Sequence, residues 1–161
     1  MPTYVDGGVT VGRPANDSAR DAEALFALYH PEIEFHEPPS LPFGGIYRGR
    51  AAAREHAVRW QRTWAPLQTE AERRMEPRII AAAEEELVVH WRQRAKDASG
   101  HRIDSPVLAW YRMRDHKLAR AQMFHFDTAA VAQFLHHATL AGEDGALRTS
   151  ALARPSVGRC L

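Results

Sequence analysis

Pro38 and Pro39 have no backbone N–H to give to a sheet ladder, so a strand running through Glu34-Phe35-His36-Glu37 has to stop at them. Pro39 also steers Pro38 away from the helical region. The residues that follow, Ser40-Leu41-Pro42-Phe43, form a stiff and largely apolar bend, and Gly44-Gly45 lets the backbone turn sharply before Ile46-Tyr47-Arg48-Gly49. The stretch therefore runs from a strand end to a helix entrance. It leaves two ionisable groups, His36 and Glu37, where the strand stops. A carboxylate among prolines, aromatics and leucine is short of water, and desolvation is the usual way to raise its pKa into the range of an acid/base catalyst. The competing reading is a surface strand end with solvated charges.

Around this stretch the chain reads as alternating elements. Residues 1–16 show little pattern and are expected to be a loose N-terminal arm. Ser18 followed by Asp21 predicts a capping box, and Ala22, Leu25, Phe26 and Tyr29 form one helical stripe that Pro31 ends. Ile33 to Glu37 reads as a strand. Arg50 to Trp64 reads as a helix with Ala53, Ala57, Trp60 and Trp64 on one face and His56 at its border. Four strands are then expected in series, Pro77–Ala83, Leu87–Arg94, Arg102–Met113 and Leu118–Phe126, joined by polar turns. Asp127-Thr128 caps a last helix from Ala129 to about Ala141, with Asp127 an N-cap rather than a catalytic group. The Gly, Glu, Asp, Ser, Arg and Pro of residues 142–161 predict a disordered tail.

The order predicts an α+β fold of one domain over residues 17–141, with helices packed on one face of a curved antiparallel sheet. Two strands are apolar on both faces, and no helix remains to cover the outer one. A homodimer through that face is expected.

Composition narrows the function. The chain has 161 residues, of which 45% are hydrophobic and 25% charged, with a net charge of +1. It has no basic block, which argues against nucleic acid as a partner. The lone Cys160 excludes an internal disulfide. No apolar run is long enough to span a membrane, and the first residues lack the order of a signal peptide, so a cytoplasmic location is expected. Nine histidines invite a metal reading, but none form an HxH or HxxxH pair, and His136 and His137 are adjacent and cannot both face one ion from a helix. Neither a metal nor another cofactor is expected.

The chain resembles the nuclear transport factor 2-like superfamily, whose fold is a cone of curved sheet wrapped around helices. More narrowly it is similar to the SnoaL-like polyketide cyclases and to their relatives, the ketosteroid isomerases and limonene epoxide hydrolase. The resemblance is carried by Leu28 to Pro38, Pro42 to Gly49, Leu87-Val88-Val89, Arg114-Asp115-His116-Lys117 and Phe126 to Ala130. By that resemblance Glu37, immediately before Pro38, takes the place of the proton-shuttling aspartate of the isomerases. Other family positions are lost: Ala109 stands near the oxyanion-side aspartate, and Arg94 and Phe124 stand where the hydrolase has its two carboxylates. The same superposition turns Arg92 and His90 inward, gives Gln122, Phe124 and Phe126 a common face, and infers an inward Val107, Ala109 and Tyr111. It leaves open whether His36 or Glu37 faces the interior.

The expected site is thus Glu37 as general acid or base, His90 as a donor to a substrate carbonyl, and His36 and Tyr47 as further catalytic candidates. Trp60, Trp64, Arg92, Tyr111, Phe124 and Phe126 are expected to bind a hydrophobic small molecule. The function implied is a cofactor-independent cyclase or isomerase acting on an apolar, polyketide- or terpenoid-like compound of secondary metabolism. A non-catalytic hydrophobic-ligand-binding or dimerisation module is the alternative, and an epoxide hydrolase or dehydratase is a further one.

Overall fold

A computed structural model describes residues 23–152, with side chains described as far as Leu140. The arm, the Ser18–Asp21 cap, Cys160 and the last nine residues lie outside them. The chain begins as a helix, α1, over residues 23–27, and continues as β1 (Tyr29–Glu37), β2 (Gly45–Arg48), α2 (Gly49–Trp64), a 3₁₀ turn (Ala65–Leu67), α3 (Glu70–Arg73), β3 (Arg78–Ala82), β4 (Glu86–Lys96), β5 (Arg102–Arg114), β6 (Lys117–His125) and α4 (Thr128–Leu152). One sheet holds all six strands in the order β2-β1-β6-β5-β4-β3. The fold is α+β, as expected, with α2 packed against β1 and β2.

Two boundaries and one strand direction differ from the sequence reading. Tyr29 belongs to the strand and not to the helix. Pro31 sits where the pairing of β1 with β6 skips from Tyr29 to Glu34, so no ladder N–H is needed from it. The sheet is also not wholly antiparallel: β1 runs parallel to β6, because β2 and α2 carry the chain away before the meander returns. Finally, the last helix runs to Leu152, so its expected end near Ala141, and a tail disordered from residue 142, are overturned as far as Leu152. Asp127 is the N-cap it was expected to be; its Oδ1 accepts from the Ala130 N–H at 2.9 Å.

Two apolar clusters hold the molecule. Tyr29, Ile33, Phe35, Tyr47, Ala53 and Ala121 join β1 to α2 and β6. Leu41, Phe43, Trp64, Ala95, Val131, Phe134 and Leu135 close the other end. The bend after β1 folds tightly on itself: Leu41 N–H donates to the Pro38 carbonyl, and Gly44 N–H to the Leu41 carbonyl. A Cβ at Gly44 would lie 2.3 Å from the Pro38 oxygen and 2.8 Å from the Leu41 oxygen, so only glycine fits there.

Which face of each strand turns toward α2 decides the site. On β5 the inward residues are Val107, Ala109 and Tyr111. The loop between Lys96 and Arg102 has an odd number of residues, so β4 pairs odd with odd, Val89 with Ala109 and Trp91 with Val107. Val89, Trp91 and Gln93 are therefore inside. Between β5 and β6 the two-residue turn alone would pair odd with even. The register shifts after Met113↔Leu118 to Arg112↔Arg120, leaving Ala119 as an extra residue. Beyond that bulge Met123 opposes Ala109 and His125 opposes Val107, so these two point inward.

Candidate active site

β1 delivers Glu37 to the interior. Ile33, Phe35 and Glu37 are buried on the face toward α2, while Glu34 and His36 take the other. The choice between His36 and Glu37 falls to Glu37. His36 instead shares a hydrogen bond with Glu34 Oε2 at 2.8 Å, and Arg48 donates to Glu34 Oε1 at 2.9 Å. Those two partners hold the Glu34 carboxyl below its ordinary range.

Helix α2 places Ala53, His56, Ala57 and Trp60 at i, i+3, i+4 and i+7 over the sheet. His56 Nε2 lies 2.9 Å from Glu37 Oε1, with the two side chains 8% and 3% exposed. The imidazole is held among aromatic rings, stacked on Phe35 at 4.8 Å and packed on Tyr47 at 5.0 Å and Phe43 at 6.5 Å. Tyr47 is anchored in turn, its hydroxyl donating to the Phe43 carbonyl at 2.8 Å. That engagement makes Tyr47 a wall of the His56 cage.

Glu37 and His56 line a cavity of about 360 Å³ between α2 and the sheet. Trp60, Met75 and Pro77 form one side. Val89, Trp91 and Gln93 of β4, Tyr111 of β5, and Met123 and His125 of β6 form the floor. A larger cleft, of about 680 Å³, opens at the Pro31–Gly49 edge of the sheet, but most of its charged groups, such as Arg48 with Glu34 and Arg114 with Glu32, already neutralise each other. The smaller cavity has the mainly apolar lining and the few convergent polar groups of a small-molecule site.

Its electrostatics follow from burial. Desolvation pushes the Glu37 carboxyl above its ordinary pKa, and the hydrogen bond and charge of His56 pull it partly back. Its second oxygen, Oε2, is shut from solvent and has no hydrogen-bond partner among the described residues. Burial, with smaller contributions from Tyr29 and Glu37, pushes the Tyr111 phenol up to about 12, so it stays protonated. Burial lowers His125 to about 4, so its ring is neutral at physiological pH. The arrangement can give or take one proton at Glu37 inside an apolar enclosure. Among the described residues, no group of three or more His, Cys, Asp or Glu side chains is placed to hold a metal ion.

Of the expected site residues, Glu37, Trp60 and Tyr111 meet in the cavity. The others do not. The inward orientation expected of His90 and Arg92 is overturned: the register puts both on the outer face, where Arg92 donates to Asp104 at 2.7 Å. Phe124 and Phe126 are outside as well, 48% and 85% exposed, because the bulge at Ala119 reverses the face they were given. Trp64 is fully buried, but in the end cluster between Phe43 and Phe134. The cavity residues not singled out as site residues include His56, Trp91, Gln93 and His125. The Ala53-His56-Ala57-Trp60 spacing carried a signal for His56, and the odd loop length carried one for Trp91 and Gln93. Nothing in the sequence marked the bulge that brings in His125.

Comparison with known proteins bears on the family and the fold. A family model described as a SnoaL-like domain matches residues 17–121. No curated protein matches significantly. Among solved structures, TerC co-crystallized with polyporic acid is 22% identical with a TM-score of 0.59, over 76% of this chain and 91% of its own. Bal32a from a soil-derived mobile gene cassette is 15% identical with a TM-score of 0.58, over 75% and 88%. An NTF2-like protein from Burkholderia pseudomallei K96243 is 17% identical with a TM-score of 0.56, over 74% and 88%. At these identities the structures establish the fold, which is NTF2-like.

The raised pKa of Glu37 has a sign in stability. Folding favours its protonated form, a contribution present below the ordinary carboxylate range and lost as pH rises through the folded-state pKa. Glu37→Gln, which can still pair with His56, should therefore gain stability over the parent as pH rises from about 4 to 8. Denaturant melts across that range check it; a difference independent of pH would contradict the shift.

Proposed function

The chain belongs to the SnoaL-like domain family, and from that membership and the geometry around Glu37 we propose that it is a cofactor-independent cyclase or isomerase working by general acid–base catalysis on an apolar small molecule. One observation carries the reading: a buried carboxylate lining an apolar cavity, one oxygen held by His56 and the other without a partner among the described residues. Raised toward neutrality, such a group can take a proton from a carbon next to a carbonyl and return it elsewhere. His56 positions it, since its bond to Oε1 leaves Oε2 as the working oxygen. The walls supply the rest: Trp60, Tyr111 and Met123 hold an apolar skeleton by burial, and holding reacting ends together lowers the barrier to ring closure. TerC, co-crystallized with polyporic acid, supports reading the cavity of this fold as a small-molecule site. A polyketide- or terpenoid-like substrate of secondary metabolism suits that enclosure.

The absence of a second carboxylate among the described residues lining the cavity favours one alternative, a binding module without chemistry. It also removes support for a hydrolase that activates water with a carboxylate pair.

Incorporation of deuterium from heavy water next to the carbonyl of cyclic ketones, followed by NMR, separates the two. The enzyme should accelerate exchange, and Glu37→Gln should lower the acceleration by about 10²–10⁴. The acid limb of the exchange should lie above the ordinary carboxylate pKa, because the working form is ionised and burial raises its pKa. Removing His56 as Phe should move the limb further up, since its hydrogen bond holds the pKa down. Exchange unaffected by Glu37→Gln would leave the binding module.

We propose as well that the outer sheet face pairs with a second copy of the chain. Leu108 and Phe124 oppose each other across β5 and β6 and are 41% and 48% exposed; none of the described helices covers them. Light scattering should give twice the chain mass, and Leu108→Arg with Phe124→Arg should halve it. A monomeric parent chain would contradict the pairing.

A further inference from the structure

The cavity holds polar groups that the proton transfer at Glu37 does not use. The indole Nε1 of Trp91, the amide Nε2 of Gln93 and the imidazole Nδ1 of His125 are all shut from solvent without a hydrogen bond to any of the described residues. Buried polar groups are nearly always paired, because an unmade bond leaves the group's desolvation uncompensated. Three such groups along one cavity floor are therefore an unusual concentration. The register sets them side by side. Trp91 and His125 flank Val107 on one rung, and Gln93 lies one inward position beyond Trp91 on β4. Gln93 is only 1% exposed.

Their chemistry is lopsided. An indole N–H donates and cannot accept, a primary amide nitrogen donates, and a neutral imidazole can donate through one nitrogen. What fits Trp91 and Gln93 is an acceptor. The charges around the cavity are lopsided too. No Lys or Arg is among the described residues lining it. Arg92 and Arg94 alternate to the outer face of β4, where they pair with Asp104 and Glu76. The only acid among the described residues lining it is Glu37, and His56 is already committed to it. A ligand carboxylate would be buried beside Glu37 without a free cation, which is costly. Burial keeps His125 uncharged, so it adds no counter-charge. At about 360 Å³ the space lies near the small end of ligand cavities.

We infer that the cavity selects a compact, uncharged ring compound carrying a hydrogen-bond-accepting oxygen, such as a cyclic ketone, and that Trp91 and Gln93 hold that oxygen. The inference rests on reading the cavity as a small-molecule site beside Glu37. It adds the part of the ligand that is recognised and the residues that recognise it.

Three probes on one two-ring frame test it by titration calorimetry at neutral pH: 1-tetralone, with a carbonyl; tetralin, without one; and 1-naphthoate, with a carboxylate. The ketone should bind at least about ten-fold tighter than either of the others. Trp91→Phe and Gln93→Leu should each weaken the ketone about ten-fold and leave tetralin within about two-fold, which also reports that the cavity is still formed. Glu37→Gln should keep the preference for ketone over tetralin. The inference is overturned if tetralin matches the ketone, if both β4 variants keep the preference, if naphthoate binds best, or if none of the three binds. Ketone preference without catalysed deuterium exchange would sink the acid–base reading and leave this one standing. Exchange without oxygen preference would do the reverse.

Discussion

Glu37 sits almost wholly out of water with a single partner among the described residues, and much of the surrounding structure follows from keeping it there. A lone buried carboxylate is expensive, and His56 offsets part of the cost through one hydrogen bond. That bond requires α2 to cross β1 at the height where the strand ends. Pro38 and Pro39 end the strand, the bend returns through Gly44 with no room for a side chain, and β2 pairs back onto β1 before α2 begins. Tyr47 and Phe43, both from that return, then cage the imidazole from two sides, with the Tyr47 hydroxyl tied to the Phe43 carbonyl. Bend, strand pair and helix start thus serve one contact.

The sheet divides charge from neutrality. On β4 the arginines alternate outward into ion pairs, while tryptophan and glutamine alternate inward. The same alternation on β6 turns Met123 and His125 in and exposes Phe124. In consequence the described residues give the cavity one acid, neutral donors and apolar walls. In such an enclosure a single proton transfer is less screened than in water and dipoles act strongly.

Much of this was legible in the chain. The strand end at Glu37, the helix 50–64, four later strands and the Asp127 cap all follow from proline chemistry, periodicity and turn residues. Side-chain facing was legible only where register could be counted. The odd loop between β4 and β5 fixes Val89, Trp91 and Gln93 inward once Ala109 is known to be inside, so placing Arg92 inside contradicted the chain's own spacing. The facing of β6 was not legible. Asp115 and His116 make a tight turn with positive φ at both residues, and a plain count from it sends Phe124 inward. One extra residue, Ala119, reverses the strand, and an alanine between leucine and arginine carries no mark of a bulge. His56 was within reach of the helical stripe, but its partner could be known only once β1 and α2 were packed together.

The central claim is that Glu37 is a desolvated acid/base group, and the most direct measurement is its own titration. Carbon-13 NMR of the side-chain carboxyl, assigned with Glu37→Gln, reads it without any substrate. The account predicts a midpoint above that of an ordinary glutamate, rising further when His56 is replaced by Phe. A midpoint in the ordinary range, unmoved by that replacement, would contradict it.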